Sequence, residues 1–157
     1  MRFSTLSLIL GGVLVVSASV SQAGEISLVE IHGPLTHSTY QLRWKGDLST
    51  CEASQSRSAT TNWKSVSVAT CQRVLGFLSK YRSDLDRDTS SAPPVVRTPK
   101  ARIGRLSFLG QQWTVNLNTA KTCDATSSHC QEPELSYSSQ LALELRTAIT
   151  AALGRLK

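Results

Sequence analysis

Four cysteines are the side chains best able to do chemistry in this chain: Cys51, Cys71, Cys123 and Cys130. A zinc knuckle gathers thiolates two to four residues apart, and no pair here is so spaced. No C-x-x-C is present, so a thiol–disulfide exchange centre is not indicated. The histidines are His32, His37 and His129. The step from His32 to His37 puts them on opposite faces of a strand, and Gly33-Pro34 between them blocks a helix. A metal centre would need folding to gather all three. Asp84-Leu85-Asp86-Arg87-Asp88 begins like a calcium loop, in which alternating acids set oxygens around one ion. Thr89 then stands where glycine makes the sharp turn, and Val95 where glutamate chelates. A solvated helix end accounts for the run, and no cofactor or metal is expected.

Serine catalysis lacks its cues. There is no G-x-S-x-G elbow and no pattern that seats a histidine beside a serine. A glycan-cleaving centre needs two acids across a cleft. Glu25, Glu30, Glu132 and Glu134 qualify by residue type alone. The sequence therefore predicts no enzymatic activity.

The start of the chain sets the compartment. Met1-Arg2 is a minimal positive region, Leu6–Val16 an apolar core, and Ser17–Ala23 a stretch of small residues. Ser21 and Ala23 occupy the −3 and −1 positions of a cut before Gly24. Residues 1–23 are thus expected to be a cleavable signal peptide, and the protein to be periplasmic or secreted. An anchor would need about 20 predominantly apolar residues. Serines and glycines dilute this segment, and Glu25 follows rather than a basic cluster, so no stable membrane insertion is expected after cleavage. Export turns an even set of cysteines into expected staples. The predicted bridges are Cys51–Cys71 and Cys123–Cys130, each closing a polar loop; crossed pairings stay open.

Cleavage leaves residues 24–157, a length that suits one domain. Losing Arg2 lowers the formal charge from +6 to +5. Glu25–Ile31 reads as a strand broken by His32-Gly33-Pro34. Tyr40, Leu42 and Trp44 alternate with Gln41, Arg43 and Lys45, the period of a half-buried strand. Residues 46–62 read as loop, and Val66 and Val68 as a short strand after Trp63. Thr70 is the expected cap of a helix over 71–86, with Val74, Leu75, Leu78, Tyr81 and Leu85 on one face and Cys71 a turn before. Residues 87–100 carry three prolines and read as a linker. Ile103–Leu109 and Trp113–Leu117 form a hairpin turning at Gly110-Gln111. The last helix is expected over 138–156, capped by Ser138 or Ser139, with Leu141, Leu145, Ile149, Ala152, Leu153 and Leu156 buried.

This order predicts an α+β fold: an antiparallel sheet of about five strands, two amphipathic helices packed on it, and two disulfides. A two-lobed plan, 24–86 and 101–157 joined by 87–100, is a variant of it. At an offset of 69, Trp44, Leu48 and Thr50 align with Trp113, Leu117 and Thr119, which chance explains better than duplication.

Charge is segregated. No acid occurs between Asp88 and Asp124, where Arg97, Lys100, Arg102, Arg105 and Lys121 lie. These five are the candidate binding patch, suited to an acidic protein surface or an anionic envelope polymer. An ordinary basic sheet edge is the plainer explanation. Nucleic acid is not expected as a partner, because the patch lacks interleaved aromatics. In general character the chain resembles small exported inhibitor or immunity-type proteins of bacteria: signal peptide, one stapled α+β domain, no active site. The resemblance implies a non-enzymatic binding protein that blocks a toxin or cell-wall hydrolase. A structural or polymer-binding envelope protein is the alternative, and a small secreted hydrolase the second.

Overall fold

The computed structural model describes residues 22–58, 60–88, 102–119, 122–123, 130–131 and 135–155. The signal segment up to residue 21 and most of the proline-rich linker lie outside the described residues. So do Glu132, Glu134, His129 and Leu156.

The core is a six-stranded antiparallel sheet: β1 (Gly24–Ile31), β2 (His37–Trp44), β3 (Cys51–Ser56), β4 (Lys64–Ser65), β5 (Ile103–Phe108) and β6 (Gln111–Asn116), in the order β4-β3-β2-β1-β5-β6. β1 pairs with β2 on one side and β5 on the other, so strands from both halves of the chain share one sheet. A separate ladder joins β7 (Thr122–Cys123) to β8 (Cys130–Gln131). The helices are α1 (Val68–Asp88) and α2 (Tyr137–Leu153).

Four local expectations are corrected. The sheet has six strands, not about five, because β3 forms inside the stretch expected as loop. Its sequence, CEASQS, alternates with small residues: Cys51 and Ala53 are buried while Glu52 is half-buried on the other face. The loop before it shrinks to a tight turn, with Lys45 N–H donating to Thr50 O and Ser49 N–H to Asp47 Oδ1. The short strand expected after Trp63 is β4, formed by Lys64–Ser65 and not by Val66 and Val68; Val66 N–H bonds to Cys51 O, and Val68 starts α1, whose first turn folds over Ser67 rather than Thr70. The β5–β6 turn is Leu109-Gly110, not Gly110-Gln111. Both residues have positive φ, 49° and 77°, as a two-residue primed turn requires. Finally, α2 is capped by Ser136, whose hydroxyl accepts from Ser139 N–H. Ser138 and Ser139 are buried instead, and Ala152 is exposed.

Both helices lie on one face of the sheet and cross its strands in opposite directions. α1 begins at β3, where Cys71 is bridged to Cys51. It reaches β6 at its far end, where Leu85 O accepts from Trp113 Nε1. α2 returns: Asn116 N–H of β6 donates to Ser139 Oγ, Arg146 meets β1, and Gly154 O accepts from Gln55 of β3. Its 17 residues span about 25 Å, enough for the four inter-strand steps of about 4.8 Å each. Ile26, Leu28, Leu42, Trp44, Leu106, Trp113 and Val115 meet Val74, Leu78, Leu141, Leu145 and Ile149 in one core. Each fully buried Leu or Ile contributes about 1.5–3 kcal/mol.

One disulfide, Cys51–Cys71, is present among the described residues, where two are expected. Cys123 and Cys130 stand as register partners across β7 and β8.

At Gly104 an added Cβ would lie 2.9 Å from both Leu117 Cδ1 and Leu28 Cδ1. Gly104→Val should therefore overpack the sheet and cost about 1–3 kcal/mol, read as a lower urea midpoint; an unchanged midpoint would refute this packing.

Candidate functional site: an arginine-rich end of the sheet

Alternation along β1 turns Ile26, Leu28 and residue 30 toward the helices, and residue 30 is a glutamate, 1% exposed. Burying a carboxylate costs several kcal/mol unless it is paired. Two guanidiniums pair it. Arg146 Nη1 of α2 and Arg102 Nη2, just before β5, each lie 3.2 Å from the same oxygen, Glu30 Oε1. The Arg146 side chain is 23% exposed and that of Arg102 56%. Glu30 faces Ser38 on β2 and Gly104 on β5.

Tyr40, two residues beyond Ser38 and on the same face, is also buried. Burial pushes its phenol above the ordinary value, and the Glu30 charge pushes the same way; Arg146, Arg102 and Arg57 pull it down. Among the described residues, Glu30, Arg146, Arg102 and Arg57 are the charged groups that act on this hydroxyl. Arg57 is exposed directly after β3. The β1–β2 loop, 32–36, rises at this end and is closed by His32 N–H donating to Thr36 O at 3.0 Å. The opposite end carries Glu25, Asp47 and Glu52 with Arg43 and Lys45. There Arg43 pairs with Glu52 at 2.7 Å and lies over the Trp63 ring. Hydrogen bonds from the Ser49 side chain and backbone hold the Asp47 carboxyl below its usual range.

The structure seats His32 Nε2 2.9 Å from Ser38 Oγ. No sequence cue announced this nucleophile–base contact, because the two residues meet only across the hairpin loop. Ser38 is 2% exposed, so its hydroxyl is closed to a substrate in this conformation. Glu30 is held by two arginines.

Of the five predicted patch residues, Arg97, Lys100 and Lys121 lie outside the described residues. Arg102 turns to the helix-covered side, toward Glu30. Arg105 is exposed on the open face, in the row Ser56–Thr39–Val29–Arg105–Thr114. The two thus leave the sheet on opposite sides. Arg57 and Arg146 were not singled out from the sequence. The missed signal was the parity of β1: if Ile26 and Leu28 point inward, so does Glu30, and a buried carboxylate demands a cation.

A shallow groove of about 510 Å³ runs between the start of α1 and the end of α2, floored by Val66 and Ala148. Its one charged residue, Arg73, is paired with Glu144. Among the described residues no group of three His, Cys, Asp or Glu side chains could hold a metal, and no helix is long and apolar enough to cross a membrane. Comparison with known protein families, curated proteins and solved structures finds no match to this chain.

Two outcomes follow from the buried cluster. Glu30→Gln leaves Arg146 without its counter-charge and should cost about 3 kcal/mol in urea unfolding, whereas the pair Glu30→Leu/Arg146→Met should recover most of it; equal stability of Glu30→Gln and wild type would show that the pairing is idle. For Tyr40 the folded-state phenol is raised above 10.0. Its contribution to stability is therefore complete below that value and lost as pH climbs through the folded-state value. Tyr40→Phe should flatten the alkaline limb of stability against pH, and an unchanged limb would assign that limb to other groups.

Proposed function

We propose that this is an exported, non-enzymatic binding protein of inhibitor or immunity type that meets an acidic partner through the arginine-rich end of its sheet. The observation that carries this reading is geometric: Arg102 and Arg146 both pair with the one buried carboxylate of Glu30, and exposed Arg57 follows β3 at the same end of the sheet. Interiors balance charge where they can, so a surplus at an exposed end favours an anion supplied from outside. In the sequence, Arg97 and Lys100 precede Arg102 in a stretch without acids. Export rests on the signal pattern of residues 1–23, and cleavage before Gly24 yields the working domain. The cut removes the Gln22 carbonyl that accepts from Trp44 Nε1, so intrinsic fluorescence separates processed from unprocessed chain. Cys123 and Cys130, facing each other in register, supply the second staple. Mass spectrometry of the mature protein should find a start at Gly24 and no free thiol.

One observation favours the polymer-binding alternative. The open face of the sheet presents Ser27, Ser107, Gln41 and Gln112 in one row, beside the Arg43–Trp63 stack. Hydroxyls and amides around an indole suit a glycan.

A single comparison decides between the readings. Mature protein and its Arg57→Gln form are measured for binding to immobilised polyglutamate and to purified cell wall across a salt series. Arg57 is exposed and has no ion-pair partner among the described residues, so the fold should persist. The proposal expects polyglutamate binding that weakens with salt and falls several-fold in the variant. Retention on cell wall alone, insensitive to both, would transfer the function to the open face.

A further inference from the structure

Beyond the arginine end, we infer that the face of the sheet turned away from the helices is a binding site for an acidic polysaccharide, with Arg105 receiving its carboxylates. Parity along the strands places the residues. Ile26, Leu28, Leu42 and Leu106 point to the helices, so Ser27, Gln41, Arg105 and Ser107 point the other way. Register then sets side chains side by side: Gln41, Ser27, Ser107 and Gln112 are successive partners across β2, β1, β5 and β6. Neighbours in such a row have Cβ atoms about 4.5–5.5 Å apart, so the four make a line of about 14 Å. These ladders run residue by residue without a bulge, so the line is unbroken.

Arg105 stands one row away, about 7 Å from Ser107 along β5. It is exposed, and its neighbours on this face are Val29 and Thr114 across the strands and Ile103 and Ser107 along its own. None of these carries a charge, and Arg105 has no ion-pair partner among the described residues. Arg43 is the contrast on the same face: Glu52 holds it at 2.7 Å, and it lies over the Trp63 ring. Of these two strand arginines, Arg105 alone keeps its charge open to a ligand. The surroundings of that charge select the ligand's class. Hydroxyls and side-chain amides each donate and accept hydrogen bonds, which matches the hydroxyls of a sugar chain laid across the strands. Aromatic anchors dominate contacts between proteins, and none lies in the row of Gln41 or among the neighbours of Arg105. A guanidinium adds paired N–H donors, the complement of a carboxylate. Hydroxyls in line with a carboxylate to one side describe a chain of uronic acids.

The test measures binding of mature wild-type protein and three variants, Arg105→Gln, Gln112→Ala and Arg57→Gln, to polygalacturonate. Dextran serves as the uncharged sugar chain and polyglutamate as the carboxylate chain without sugars. All three positions are exposed, so thermal unfolding should match wild type. The expected result is saturable binding to polygalacturonate that falls about tenfold in Arg105→Gln, falls less in Gln112→Ala, and is unchanged in Arg57→Gln. Polyglutamate binding, which belongs to the arginine end, should follow Arg57 and ignore Arg105. No binding to polygalacturonate, or equal binding to dextran, would overturn the inference. Loss in Arg57→Gln with Arg105→Gln unaffected would overturn it too, and assign the polymer to the arginine end. Loss in Arg105→Gln with Gln112→Ala equal to wild type would overturn the sugar row and reduce the site to a bare anion contact.

Discussion

Glu30 sits where a sheet of this kind ordinarily places a leucine. Its strand, β1, is flanked by β2 and β5, and its inward neighbours Ile26 and Leu28 are fully buried. A carboxylate at that position is tolerated only because cations come to it. Arg146 comes from α2, and Arg102 from the entry to β5. The middle of α2 and the start of the second hairpin are thereby tied to one atom of the central strand. An apolar residue would pack there as stably or more so, and α2 already has Leu141, Leu145 and Ile149 for adhesion. What the carboxylate adds is position: it draws arginines to one end of the molecule and holds two of them there.

The crossing helices make that end available. Because α1 and α2 run across the strands rather than along them, they cover one face of the sheet and, among the described residues, leave the strand ends uncapped. The Cys51–Cys71 bridge fastens the beginning of α1 to β3, and the Ser139 and Gln55 contacts fasten the two ends of α2 to β6 and β3. The loops at the strand ends are then free to carry function on a fixed frame. Among the described residues, one end sets Arg43 against Glu52 and Asp47, and the other gathers Arg57, Arg102 and Arg146 with Glu30.

Much of the frame was legible in the sequence because its large side chains follow the right periods. Tyr40, Leu42 and Trp44 announce β2, and Leu141, Leu145 and Ile149 announce α2. The second disulfide-forming half-site of the first bridge was legible too, as Cys71 one turn before Val74. β3 was not, because its inward residues are Cys51 and Ala53, too small to register as apolar alternation. The cap at Ser136 was missed because three serines follow Leu135 within four residues, and only packing, with Asn116 N–H bonded to Ser139 Oγ, decides that Ser138 and Ser139 are buried and Ser136 caps. The arginine end was half legible. Arg102 was flagged by the run without acids, but Arg57 and Arg146 come from other elements, and only the topology gathers them at Tyr40. A linear charge count sees neighbours in sequence; this cluster is made of neighbours in space.

The central claim is that an acidic partner is received at the Arg57–Arg102–Arg146 end. The most direct measurement is nuclear magnetic resonance of the arginine side-chain Nε–H groups in the mature protein during titration with polyglutamate. The account predicts that Arg57 and Arg102 shift first, and that Arg43, already paired with Glu52 at the far end, stays in place. Shifts centred on Arg43 and the Trp63 indole, with Arg57 and Arg102 unmoved, would contradict it.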